Sequence, residues 1–201
     1  MKQIVLVLAT LIFMFSHSVS GAVAASTATE EVKKTVDEVV HIVADKEMKR
    51  NEAKRRQALK KAISTIFDYP EMAKRSLGKH WNTRTAAEKK QFAELFATLL
   101  ENSYAGKIES YNNEKIVYVK EIVEEDHAEI KSKVVTANRD EFTLDYRLFK
   151  HNGKWMVYDV VIEGVSLVSN YRSQFNKIIT ANGYDKLVKK LQSKNEELKA
   201  P

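Results

Sequence analysis

The chain has 201 residues, with 33 Lys and Arg against 27 Asp and Glu, a formal charge of +6, 44% hydrophobic residues and no cysteine. The missing thiols exclude disulfides, thiolate metal sites and a lipid anchor on cysteine. With only 6 glycines in the whole chain, a Gly-rich phosphate cradle is absent as well.

The first segment sets the compartment. Lys2 precedes an apolar run from Ile4 to Phe15 that only Thr10 interrupts, and the small, polar stretch after it contains Ala22-Val23-Ala24. This is the pattern of a secretory signal peptide cut after Ala24. The run falls short of the roughly 18 apolar residues that a spanning helix needs. Residues 1–24 are therefore read as a signal peptide and 25–201 as one domain of about 177 residues, large enough for a substantial core. Loss of Lys2 leaves 32 basic against 27 acidic residues, a charge of +5. In an exported protein such a surplus suits phosphate-bearing lipids, anionic membrane surfaces or acidic protein partners rather than nucleic acid, or is simply a solvated surface.

From Thr29, the residues Val32, Val36, Val39, Val40 and Val43 recur at helical spacing. A second helix is expected over residues 49–67, with Leu59, Ile63, Ile66 and Phe67 inward. Its outer face of Lys49, Arg50, Lys54, Arg55, Arg56, Lys60 and Lys61 is either solvated or a docking face. Asp68-Tyr69-Pro70 reads as a turn into a short helix, since Pro is favourable in a first helical turn. Thr85-Ala86-Ala87-Glu88 has the form of a capping box. The helix it opens carries a stripe of Phe92, Leu95, Phe96, Leu99, Leu100 and Tyr104, which suits either a packed core or a ligand pocket.

Four strands follow, near Ile116–Val119 and over Ala128–Val135, Glu141–Phe149 and Lys154–Glu163. Phe142, Leu144, Tyr146 and Leu148 alternate with Thr143, Asp145 and Arg147. Asn152-Gly153 is a hairpin signal, and Gly164 reads as the exit into C-terminal helices, the last over Tyr184–Leu198. Helices, then an antiparallel meander, then helices imply an α+β cone in which helices fold over a curved four-stranded sheet.

The stretch Gly153-Lys154-Trp155-Met156-Val157-Tyr158-Asp159-Val160-Val161-Ile162-Glu163-Gly164-Val165, continuing through Asn170-Tyr171-Arg172 to Gln174-Phe175, resembles the MlaC family of periplasmic phospholipid-binding proteins, also called Ttg2 or toluene-tolerance proteins. So do Phe67-Asp68, Leu77-Gly78-Lys79-His80-Trp81-Asn82, Phe92-Ala93-Glu94-Leu95-Phe96 and Ile108-Glu109-Ser110-Tyr111, in order from about residue 30 to 190. The resemblance implies an NTF2-like α+β fold whose interior holds phospholipid acyl chains, with no cofactor besides that lipid. It also implies a periplasmic monomer in a Gram-negative envelope, shuttling lipid to maintain outer-membrane asymmetry. Its implied partners are an outer-membrane lipoprotein complex (MlaA-like) and an inner-membrane ABC transporter with a lipid-binding subunit (MlaFEDB-like).

For such a cavity, Phe96, Leu99, Leu100 and Tyr104 are candidates for the helical wall. Tyr118, Ile130, Tyr146, Trp155, Val157 and Val161 are candidates for the sheet wall, and Val165, Val168 and Tyr171 for the mouth. Arg172 would contact a phosphate or partner, or bridge Glu163 or Asp159 locally. Lys79, His80, Lys107 and Arg147 are further candidates for a head group or a docking contact.

Catalytic signatures are wanting. His41, His80, His127 and His151 are scattered without metal-ligand spacing, and the chain has no G-x-S-x-G, P-loop or H-E-x-x-H. Two other readings stand beside the carrier. Asp145 or Asp159 in a pocket would suit a small isomerase or hydrolase acting on an apolar substrate. A filled core would suit an envelope adaptor.

Overall fold

The computed structural model describes residues 26–199. The cleavable segment read over 1–24 lies outside them. Helix α1 (Ala28–Ala44) opens on a capping box: the Thr27 hydroxyl accepts from the Glu30 N–H, and the Glu30 carboxylate accepts from the Thr27 N–H.

The single helix expected over 49–67 does not form. Asp45 ends α1 and caps α2 (Lys46–Arg50), its carboxylate accepting from the N–H groups of Glu47 and Met48. Asn51 then ends α2 and caps α3 (Glu52–Ser64) by accepting from the Lys54 N–H at 3.0 Å. Short polar side chains satisfy the orphan N–H groups of a new helix start, so the chain bends where a continuous periodicity had suggested one rod. Phe67 lies beyond α3 and pairs with the sheet at Val157.

Asp68 caps α4 (Tyr69–Leu77), with Pro70 in its first turn. A short 3-10 turn (Gly78–His80) leads on to α5 (Ala86–Glu109), which has the expected Thr85–Glu88 capping box.

The strands β1 (Lys115–Glu124), β2 (His127–Val135), β3 (Glu141–His151) and β4 (Lys154–Ile162) form the expected antiparallel meander. A fifth strand, β5 (Val165–Ser166), is added at the edge. Gly164 is not the exit into a helix. Glu163 and Gly164 both have positive φ, +49° and +76°, and form a two-residue hairpin that pairs Val161 with Ser166 and Ile162 with Val165. Ser166 then caps α6 (Leu167–Asn182), and α7 (Tyr184–Lys199) follows.

Three apolar clusters hold the fold. Helices α4, α5, α6 and α7 meet around Leu77, Phe92, Phe96, Phe175 and Leu187. The start of α1 covers the sheet at Ala128, Ile130, Leu148, Trp155 and Val157. The end of α1 meets α3 through Ile42, Val43, Leu59 and Ala62. Register puts Ile130, Tyr146 and Val160 on one sheet face and Glu129, Arg147 and Asp159 on the other. This second face is a charged ladder, with Lys131 also paired to Glu129 and Asp145, each at 3.0 Å.

Candidate functional site: an apolar cavity between the three clusters

Where the clusters meet, packing leaves a cavity of about 820 Å³. Its sheet wall is Leu144 and Tyr146 from β3 with Val160 and Ile162 from β4, four side chains that alternation brings to one face. Ile63 from α3, Phe67, Met72 from α4 and Leu167 from α6 extend the apolar lining, and Leu100, Tyr104 and Ile108 add one side of α5. The polar members gather between α3 and α5: Arg56, Gln57 and Lys60 on the one, Thr98, Glu101 and Asn102 on the other.

Burial dominates the electrostatics of the aromatic part of the wall. Burial pushes the Tyr146 and Tyr104 hydroxyls above the ordinary phenol value, and burial with the nearby Glu101 charge does the same to Tyr69. These rings stay neutral and act as apolar surface with a hydroxyl at one end. Among the described residues no group of three or more His, Cys, Asp or Glu is placed to hold a metal ion.

Of the wall candidates read from the sequence, the fold brings Leu100, Tyr104 and Tyr146 to the cavity. Phe96, Leu99 and Val168 are instead buried in the helical cluster, and the Tyr171 ring packs 5.1 Å from that of Phe96. Tyr118, Ile130, Trp155 and Val157 pack in the sheet core under α1. Val161 sits opposite Asp145, on the sheet face away from the cavity, and Val165 is 59% exposed on β5. Periodicity identified apolar faces correctly, but a helix as deeply placed as α5 has more than one, and only the neighbours decide which face meets empty space. Leu144, Ile162 and Ile63 were overlooked as wall residues. The alternation of Leu144 with Tyr146, and of Ile162 with Val160, was the signal that pointed to them.

None of the candidate head-group residues lines the cavity. The Arg172 Nε donates to the Arg75 carbonyl at 2.8 Å rather than to Glu163 or Asp159, joining α6 to α4. Arg147 belongs to the charged ladder, 3.4 Å from Glu129 and 3.3 Å from Asp159. His80 bonds Asn176 at 3.0 Å. Lys79 is exposed in the 3-10 turn, and Lys107 Nζ lies over the Tyr104 ring, 5.6 Å from its centroid.

The two carboxylates that the sequence offers to an isomerase, Asp145 and Asp159, lie elsewhere. Asp145 accepts from Lys131 and the Ser132 N–H, and Asp159 accepts from Ser166, the Val168 N–H and Arg147, both on the face opposite the cavity. Glu101 is the one carboxylate lining the cavity among the described residues, and Lys60 holds it at 2.9 Å. The core is not filled throughout, since it contains this cavity.

Residues 33–193 match the model of the MlaC protein family. The chain belongs to the MlaC family. It is 30% identical over 121 residues, 58% of its length, to the intermembrane phospholipid transport system binding protein MlaC of Haemophilus influenzae, and that match spans 56% of the relative. Over 167 residues it is 26% identical to the toluene tolerance protein ttg2D of Pseudomonas putida, covering 81% of this chain and 78% of the other. Its fold matches the phospholipid-binding protein from Ralstonia solanacearum, solved in complex with a phospholipid. That match has a TM-score of 0.79 and 27% identity and covers 87% of this chain and 100% of the other. The chain thus has an α+β fold, a five-stranded antiparallel sheet with helices on both sides, that matches a solved phospholipid-binding structure.

Proposed function

We propose that this protein is an exported phospholipid carrier that shields acyl chains in the cavity between α3, α5 and the sheet. The observation that carries the reading is the cavity itself. At about 820 Å³ it stands in the upper part of the roughly 300–1,000 Å³ typical of small-molecule sites, and its floor is aliphatic and aromatic. Each methylene moved out of water is worth about 0.8 kcal/mol, so a two-chain lipid crosses an aqueous space at a useful rate only inside such a shield. Membership of the MlaC family and the likeness to a solved phospholipid complex support the same conclusion.

On this reading the protein works in the periplasm. It exchanges lipid with an inner-membrane ABC transporter through its lipid-binding subunit and with an outer-membrane lipoprotein complex, and so maintains outer-membrane lipid asymmetry. The basic surplus of the chain suits both anionic membranes and acidic docking partners.

Native mass spectrometry of protein purified without detergent, followed by lipid extraction, tests the proposal. The expected result is a mass excess of phospholipid size that is released on denaturation. A folded protein that emerges empty and takes no lipid from vesicles would overturn it.

A further inference from the structure

The polar part of the cavity wall has an organisation of its own. Lys60 Nζ stands 2.9 Å from Glu101, and Arg56 stands 3.3 Å from Glu109 and 2.8 Å from Glu52. The two cations keep 61% and 52% of their side chains exposed, whereas Glu101 and Glu109 keep 17% and 12%. The cations thus face water at the rim, each anchored from behind by a carboxylate. The one bond of Lys60 leaves its ammonium two further donors, and the two of Arg56 leave its guanidinium about three. Beside them Asn102, also in the wall, has a buried Nδ2 with no hydrogen-bond partner among the described residues.

We propose that this α3–α5 seam receives the phosphodiester head group of the lipid. Arg56 and Lys60 donate to the phosphate oxygens, and the acyl chains run from there over Tyr146 and Val160. The inference rests on the carrier reading and adds to it an orientation and the residues that meet the phosphate. A phosphate at the rim takes up donors that the carboxylates leave free, so the seam need not come apart to admit it. Burying chains at one end of the cavity and holding charge at the other lets one orientation of an amphiphile satisfy every group.

A competition between two lipids with identical chains tests the assignment. The protein is mixed with vesicles holding equal amounts of a diacyl phosphatidylethanolamine and the matching diacylglycerol, and the extracted lipid is counted. The wild type is expected to favour the phospholipid by at least about tenfold, as one or two charge-assisted bonds would give. In the Arg56→Gln/Lys60→Gln double variant the ratio is expected to fall to within about threefold of unity. Lys54→Gln, on the same helix but off the wall, keeps the wild-type ratio. Circular dichroism verifies the fold of each variant, and if the double variant is unfolded, Lys60→Gln alone must lower the ratio at least about threefold. A folded double variant with the full wild-type ratio would overturn the seam while leaving the carrier standing. Equal uptake of both lipids by the wild type would overturn phosphate recognition, and uptake of neither would overturn the carrier reading along with it.

Discussion

Arg172 lies across Gly78: a Cβ on Gly78 would stand 3.3 Å from Cδ of Arg172, whose Nε donates to the Arg75 carbonyl 2.8 Å away. Gly78 has φ +56° and ψ −129°, a conformation that residues with a Cβ adopt only under strain. The pair locks the end of α4 to α6. Gly78→Ala is expected to cost about 2 kcal/mol from backbone strain and crowding together, and Arg172→Ala about 1 kcal/mol. Urea midpoints measure both, and a Gly78→Ala protein as stable as wild type would contradict the lock.

Asp159 joins the sheet to α6. The residue is 3% exposed, and its carboxylate accepts from Ser166 Oγ at 2.6 Å, the Val168 N–H at 3.0 Å and Arg147 at 3.3 Å. Asp159→Ala leaves all three donors without that acceptor and is expected to destabilise by about 3 kcal/mol, with Asp159→Asn costing roughly half as much. Equal stability of the alanine variant in equilibrium unfolding would show that the carboxylate is dispensable.

Alkaline pH is expected to weaken the fold through buried phenols. Burial pushes Tyr118 up to about 12 and raises Tyr146 and Tyr69 too, whereas an unfolded tyrosine titrates near 10. The folded state holds these protons more tightly. Their contribution is therefore complete below about pH 10 and is lost as pH rises from there through the folded values. Urea midpoints between pH 9 and 11.5 should fall steadily for wild type and less steeply for Tyr146→Phe. Identical slopes would contradict the assignment.

The Tyr118 hydroxyl is buried without a hydrogen-bond partner among the described residues. Removing an unsatisfied polar atom relieves a desolvation penalty, so Tyr118→Phe is expected to stabilise by about 1 kcal/mol at neutral pH. A loss of stability in thermal melts would reveal a partner for that hydroxyl.

Filling the cavity should displace its contents. Leu144→Trp and Leu100→Trp project a large ring from the wall and are expected to reduce co-purified lipid at least severalfold. Val165→Trp, on an exposed strand position, leaves it unchanged. Leu99→Trp should instead overpack the helical cluster, at a cost of about 1–3 kcal/mol. Lipid extraction and unfolding curves separate these outcomes, and full lipid content in folded Leu144→Trp would count against this wall.

Much of the architecture was legible in the sequence because it is written in local chemistry. The Thr85–Glu88 box, Pro70 after Asp68, and Asn152-Gly153 between alternating strands each specify backbone geometry through near neighbours. The break at Asn51 is equally local, yet the helical spacing of Leu59, Ile63 and Ile66 concealed it. Glu163-Gly164 was read as a strand's end because its hairpin closes on a strand of two residues, too short to show any alternation.

The sequence by itself determined the order of helices and strands, the meander and the family resemblance, since all of these depend on residues near one another in the chain. Only the tertiary structure decided where the space is. Leu99 and Leu100 are adjacent, but one is buried in the helical cluster without lining the cavity and the other lines it. Val160 and Val161 likewise point to opposite sheet faces. Whether an apolar face meets a neighbour or a void depends on how three separately packed clusters come together, and no single segment contains that information.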